Sequence, residues 1–339
     1  MNTFKKLLLS AVIALGFNSF GGIANAECGK VVIASQNWAS AELMAEVDKV
    51  ILEKGYGCEV ELIPGATMPT FASMDEKGAP DMNPEQWANA VYTPLIKAVD
   101  EGRLVIANKA PITGLGEGWW LTPGSIKKHP ELKGMTAMEI LEHPDWFPSK
   151  EDPSKGAFVG CPAGWGCQLA NANLFRAFEM EKKGWVLIDP GSAAGLDGTI
   201  SKAAESGDPW VGYYWNPTSI VGKYDLQAVP WGIDFAGRDN WDNCITKAEQ
   251  DCADPKPSAW TKSEVNTIIT SKFAKSSKAA VTYIGKRTYP GPVMNGMLVW
   301  MADNQAGGSD AAIEFLKKRE DVWGKWVSSG AKKKIKAGL

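Results

Sequence analysis

The stretch KVVIASQNWASAELMAEVDKVILEKGYGCEVELIPG, Lys30 to Gly65, decides the fold. It opens on KVVIAS, a β-branched run of strand length. Apolar residues then recur at Leu43, Met44, Val47, Val50 and Ile51, the spacing of one helix face. Gly55 and Gly57 end that helix, and CEVELIPG returns as a second strand. Strand, helix and strand in direct succession form a β-α-β unit.

The alternation continues downstream. The segment Pro80 to Gly102, PDMNPEQWANAVYTPLIKAVDEG, reads as loop then helix, and RLVIAN as strand. FVGCP is a strand that feeds the helix QLANANLFRAFEMEKKG, and GWVLID is the next strand. LDGTISKAAESGD is helical and PWVGYYW is strand. Further helices are expected at Ser263 to Ser276 and Ala311 to Arg319, with the apolar helical run PGPVMNGMLVWMADN between them. Such a pattern predicts α/β layers with mostly parallel sheets. Asp239 to Pro257, DNWDNCITKAEQDCADPKP, breaks it and reads as a protruding loop.

The first residues read as an address. Lys5 and Lys6 precede the short apolar run Leu7 to Phe17, and Ala24-Asn25-Ala26 offers a small-residue cleavage site, so 1–26 is a signal peptide with a mature start near Glu27. Cys28 falls one residue too late for a lipid anchor, and no run approaches the roughly 20 apolar residues a membrane span needs. The expected location is the periplasm of a Gram-negative cell. There, six cysteines suit disulfides. Spacing pairs Cys161 with Cys167 and Cys244 with Cys252, leaving Cys28 to join Cys58. Zinc is the competing use, but neither histidine lies near a cysteine. A net charge of -3 leaves no basic face for nucleic acid.

Fifteen tryptophans are several times the number an ordinary chain of 339 residues carries. Trp165 stands out in Val159 to Phe178, VGCPAGWGCQLANANLFRAF. Glycines flank it, two cysteines bracket it, and a helix follows. The glycines let a ligand approach closely. The amides of Gly166 and Cys167 sit at a helix N-terminus, which favours an anionic or dipolar oxygen. An aromatic face beside an oxygen site suits a small molecule with a cationic end and an oxygen end.

GCPAGWGC resembles the signature of periplasmic binding proteins for glycine betaine and related quaternary amines, which serve ABC importers. Asn83 to Leu95 (NPEQWANAVYTPL) and Trp210 to Thr218 (WVGYYWNPT) resemble two further segments of that family, in the right order. The resemblance implies a two-lobed type II periplasmic binding protein, each lobe a mostly parallel sheet flanked by helices, with ligand in the cleft between them. It implies a methylated-amine ligand, a membrane permease as partner, a monomer, no cofactor and no catalysis. Trp87, Trp165 and Trp215 belong to its aromatic box, with Trp38, just after the first strand, as a further wall. The lobes are expected at 27–113 plus 232–339 and at 114–231, because the chain crosses the hinge twice, with the disulfide-closed loop at 239–257.

A trimethylated nitrogen has no N–H to donate and spreads its charge over methyl groups. Each desolvated ring attracts it by about 2 kcal/mol. Three or four rings approach the roughly 8 kcal/mol of micromolar affinity.

Departures from the family pattern bear on the ligand. Glycine-betaine binders place a histidine four residues after the first box tryptophan, where this chain has Val91. His129 and His143 lie in loop-like KKHP and LEHP. Glu117, between glycines in GLGEGWWLTP, is expected in the cleft, where it would repel a ligand carboxylate. One of Trp119 and Trp120 faces the cleft, and Trp119 is the candidate. These features favour trimethylamine N-oxide, its oxygen taken by the Gly166 and Cys167 amides or by protonated Glu117, and the chain looks most like the family's trimethylamine N-oxide branch. Glycine betaine, choline and sulfonium osmolytes are the alternatives within the family, and a sugar is the alternative outside it. The stapled loop also resembles that branch, where a metal ion ties it down. Asp242, Asn243, Asp251 and Asp254, with Asp239 nearby, offer oxygen ligands of the kind calcium uses. An enzyme is disfavoured, since neither histidine has a serine or cysteine partner and the cysteines are expected to be oxidised.

Overall fold

The computed structural model describes residues 28–339; the signal peptide expected at 1–26 lies outside the described residues. Among the described residues ten strands run in chain order: β1 Lys30–Gln36, β2 Glu59–Gly65, β3 Met82–Trp87, β4 Leu104–Asn108, β5 Gly116–Leu121, β6 Gly156–Val159, β7 Trp185–Ile188, β8 Val211–Asn216, β9 Gln227–Ala228 and β10 Val265–Thr270. They form two five-stranded sheets, ordered β2-β1-β3-β10-β4 and β7-β6-β8-β5-β9.

The opening β-α-β unit folds as its pattern dictates. Val31 and Ile33 of β1 are fully buried, and the helix Ala39–Val50 turns Leu43, Met44 and Val47 onto them. Each such side chain contributes about 1.5–3 kcal/mol by leaving water. The chain then crosses to β2, which pairs parallel to β1 along seven residues.

The sheets are mixed rather than mostly parallel. In the first, β1 pairs parallel with β2 and β3, whereas β10 runs antiparallel to both β3 and β4. In the second, β6 pairs parallel with β7 and β8, and β5 runs antiparallel to β8 and β9. The cause is that β10 and β5 enter their sheets without a helical crossover from the neighbouring strand, and only such crossovers enforce parallel pairing.

Two local expectations change. Met82–Trp87 is a strand, not a loop, and all six residues are buried. Its polar sequence is tolerated because the side chains bond each other, as Asn83 Nδ2 does to Gln86 Oε1 at 2.8 Å. The expected helix at Ser263–Ser276 is β10 followed by the short helix Ser271–Ser276. VNTIIT is rich in β-branched residues that fit a sheet interior. Where β3 meets β10, Asn83 and Gln86 face Ile268 and Asn266, so Pro84 and Glu85 together oppose Thr267 alone. This is a β-bulge, which re-aims side chains and lets proline sit within a sheet.

Disulfides join Cys28–Cys58, Cys161–Cys167 and Cys244–Cys252, the pairing expected from spacing.

Candidate functional site: an aromatic cavity between the sheets

The C-terminal ends of strands in open α/β sheets are where ligands collect. Here β1 ends before Trp38, β3 ends at Trp87, and β8 delivers Tyr213 and Trp215. The helix Gly166–Ala177 begins directly after Trp165. Together these bring Trp38, Thr67, Trp87, Ala90, Glu117, Trp165, Gly166, Cys167, Tyr213 and Trp215 around one small cavity. The rings leave little space between them, so the occupant is small.

The rings enclose the space edge to face. Trp165 lies 5.3 Å from Trp38 at 75° and 5.1 Å from Trp215 at 83°, by ring centroids. Tyr213 stacks near Trp215 at 6.3 Å and 24°. The indole N–H groups of Trp38, Trp87 and Trp165 are tied outside the cavity, which leaves those faces free. Trp38 Nε1 and Trp87 Nε1 donate to Glu85 Oε1 at 2.8 and 3.0 Å, and Trp165 Nε1 donates to Asn37 Oδ1 at 2.8 Å. The last bond joins the two halves of the molecule, and Met68 N donates to Gly164 O across the same gap. A Cβ on Gly166 would stand 2.1 Å from Ala90 Cβ, so glycine is required where the two sides meet.

Glu117 is fixed by two donors. Tyr213 Oη donates to its Oε1 at 2.8 Å and Asn89 Nδ2 to its Oε2 at 2.7 Å. Burial raises its carboxyl above the ordinary value, against the pull of the Tyr213 and Asn89 bonds. Tyr213 is itself driven well up, by burial first and then by Glu117, so it stays a donor. No lysine, arginine or histidine lines the cavity among the described residues. Val91 is buried among Phe71, Leu95 and their neighbours, away from the cavity. The Gly166 and Cys167 amides are first-turn N–H groups that a helix leaves without internal partners.

Trp38, Trp87, Glu117, Trp165, Gly166, Cys167 and Trp215 are thus all brought together. Trp119 is not. Its indole packs on Phe158 at 4.6 Å and Trp231 at 4.7 Å and donates to Asn171 Oδ1 at 3.0 Å. It shares a strand face with Glu117, but two residues further on that face lies beneath the helix Gly166–Ala177. Thr67, Ala90, Tyr213 and, behind the rings, Glu85 were not legible as site residues. Tyr213 sits two before Trp215, so strand alternation marks it in retrospect. Glu85 sits two before Trp87 in the same way, but its segment read as a loop, so no alternation could be applied to it.

The acidic loop does not assemble the expected metal ligands. Asp242 is buried and accepts from Thr93 Oγ1 at 3.0 Å and Arg238 Nη1 at 3.5 Å. Asn243 donates to Asp239 Oδ1 at 2.8 Å, and Asp254 pairs with Lys256. With these side chains committed, no cluster of three potential His, Cys, Asp or Glu ligands forms among the described residues. The loop is also rooted rather than free. Trp241 and Ile245 are fully buried, and Asn173 Nδ2 donates to the carbonyls of Cys244, Ile245 and Lys247. From there it reaches the other side, where Trp241 Nε1 donates to Asn89 O at 3.1 Å and Arg238 lies 3.9 Å over the Tyr92 ring.

Among the described residues no helix is long and apolar enough to cross a membrane. Among curated protein sequences none is close enough to count as a match. Solved structures share the fold at low identity. A glycine betaine/L-proline-binding protein of an ABC transporter from Borrelia burgdorferi matches with a TM-score of 0.69 at 16% identity, covering 90% of this chain and 99% of that one. An ABC-transporter choline-binding protein in complex with choline gives 0.68 at 15%, covering 92% and 98%. Lactococcal OpuAC in its closed form with glycine betaine gives 0.64 at 16%, covering 88% and 100%. Residues 29–318 match the family OpuAC, described as the substrate binding domain of the ABC-type glycine betaine transport system. By that match over most of its length, the chain belongs to the family of substrate-binding domains of ABC-type glycine betaine transporters, and it is a binding protein rather than an enzyme.

Proposed function

We propose that this protein captures trimethylamine N-oxide in the periplasm and hands it to the permease of an ABC importer. In this reading the lobes are 27–113 plus 232–339 and 114–231. The methyl shell meets the faces of Trp38, Trp87, Trp165 and Trp215, and the oxygen meets the Gly166 and Cys167 amides. The observation that carries the choice is the composition of the cavity wall: an acid, Glu117, and no cationic side chain or histidine. A ligand carboxylate would lie near Glu117 with no counter-charge, which is costly in a buried site. An N-oxide carries no net charge and needs only hydrogen-bond donors, which the two amides offer.

Titration by tryptophan fluorescence with trimethylamine N-oxide, glycine betaine, choline, a dimethylsulfonium osmolyte and maltose tests it. The expected order puts trimethylamine N-oxide first, with glycine betaine at least tenfold weaker. Tighter binding of glycine betaine or choline would reassign the ligand. Response to maltose alone would remove the methylated-amine reading.

A further inference from the structure

A carboxylate buried beneath an aromatic cage has no obvious reason to be there. Glu85 is fully buried, on the β3 bulge, and does not line the cavity. One oxygen, Oε1, receives three donors: Trp38 Nε1 at 2.8 Å, Trp87 Nε1 at 3.0 Å and Ser40 Oγ at 3.1 Å. Its Oε2 has no hydrogen-bond partner among the described residues. Burying such a group costs far more than a neutral amide or an apolar side chain would. Holding two rings in place needs only an acceptor, so orientation alone does not explain an acid.

We propose that Glu85 is a specificity-determining residue that acts through Trp38 and Trp87, orienting both rings and biasing the cage toward ligands with positively charged methyl groups. The physical route is polarisation. An indole that donates its N–H to a carboxylate gains electron density on its ring, and chains of hydrogen bonds in a low dielectric strengthen one another. A more negative ring face attracts a methylated cation more strongly. One carboxyl oxygen therefore acts on two walls at once. Glu85 and Trp87 are two residues apart on β3, the spacing that puts side chains on one face of a strand, and Glu85 lies in the bulge opposite Thr267.

The charged and titratable groups facing Glu85 are few. Arg287, whose Nη2 donates to Pro84 O at 3.3 Å and to Thr267 Oγ1 at 2.6 Å, favours its ionised form. Behind Arg287 lie Asp48, at 3.2 Å from its Nε, and Tyr289. Trp38, Ser40 and Trp87 do not titrate in the relevant range. Burial pushes Glu85 up to about 7, against the Trp38, Ser40 and Trp87 bonds and Arg287. The carboxyl is thus poised so that a cation in the cage draws it toward the charged state.

The inference rests on the cage reading but not on which methylated amine is native, and the test separates the two. Wild type, Glu85→Gln and Glu85→Ala are titrated with tetramethylammonium, with trimethylamine N-oxide and with tert-butanol, a neutral isostere of the N-oxide. Gln keeps an acceptor for the indoles and removes the charge. The expected result for Glu85→Gln is about tenfold weaker binding of tetramethylammonium and trimethylamine N-oxide, within the range of a two-ring cation–π change, with tert-butanol unchanged. For Glu85→Ala all three weaken, because orientation is lost as well. Equal losses for charged and neutral probes in Glu85→Gln would reduce Glu85 to a structural acceptor and overturn the inference alone. No loss in Glu85→Gln would overturn it too. Failure of wild type to bind either methylated amine would overturn the cage reading together with it.

Discussion

In the proposed reading single residues carry most of the discrimination, because the rings of Trp38, Trp87 and Trp165 have their N–H groups tied elsewhere and only their faces to offer. Trp165 and Trp215 stand edge to face across the cavity. Removing either ring, as Trp165→Ala or Trp215→Ala, is expected to cost about 2 kcal/mol, roughly thirtyfold in Kd, by calorimetric titration with trimethylamine N-oxide. In the proposed reading Glu117 acts by repulsion rather than attraction. Glu117→Gln should keep both hydrogen-bonding partners and narrow the gap between glycine betaine and trimethylamine N-oxide, read by competition; an unchanged ratio would show that the acid does not exclude a carboxylate. Glu85 also has a signature in stability. Its folded pKa of about 7 lies above the ordinary carboxylate value, so it stabilises the fold most below about pH 4.5 and that contribution is lost as pH rises through 7. Glu85→Gln lacks this loss. The variant's Tm relative to wild type should therefore climb between pH 4.5 and 8, in ligand-free thermal melts. A flat difference would place the group's pKa near its ordinary value.

At the scale of elements, the turn into the helix Gly166–Ala177 decides how close the two sides come. Gly166→Ala favours the helix itself, since alanine is the better helix former. Its methyl group would nevertheless meet Ala90 at 2.1 Å across the gap. The expected outcome is an unchanged or slightly raised ligand-free Tm with at least tenfold weaker binding of trimethylamine N-oxide; retained affinity would mean that closure does not need this contact. The same turn explains what was legible beforehand. Cys161, Trp165, Gly166 and Cys167 lie within seven residues, and local chemistry announces their purpose. Trp38 and Trp215 stand at the ends of strands whose pattern is plain, so their places could be read, whereas Trp87 was marked by resemblance alone. β3 and β10 could not. One is polar and buried by its neighbours, the other β-branched but short, and pairing partners far away in the chain decide both. Trp119 shows the limit of face assignments, because alternation gives the side of a strand but not which layer covers it. Glu85 was invisible because β3 itself was not recognised, and without the strand its alternation with Trp87 could not be read.

Across the whole molecule, two mixed sheets share a cavity whose walls come from both, and their contact is held at several points besides the rings. Trp165 to Asn37, Met68 to Gly164 and Asn89 to Glu117 all span it. Small-angle scattering should report a smaller radius of gyration with trimethylamine N-oxide than without, and Asn37→Ala should enlarge the ligand-free particle or leave its affinity reduced. The segment around Trp241 adds a further tie. It is bolted to one half by Asn173 and grips the other through Asn89, Thr93 and Tyr92. In the proposed reading cargo leaves only when that grip yields, yet no residue of the segment lines the cavity. Substitutions there would therefore lengthen or shorten the dwell time of every passenger alike, so this protein can evolve how long it holds without revising what it chooses to hold.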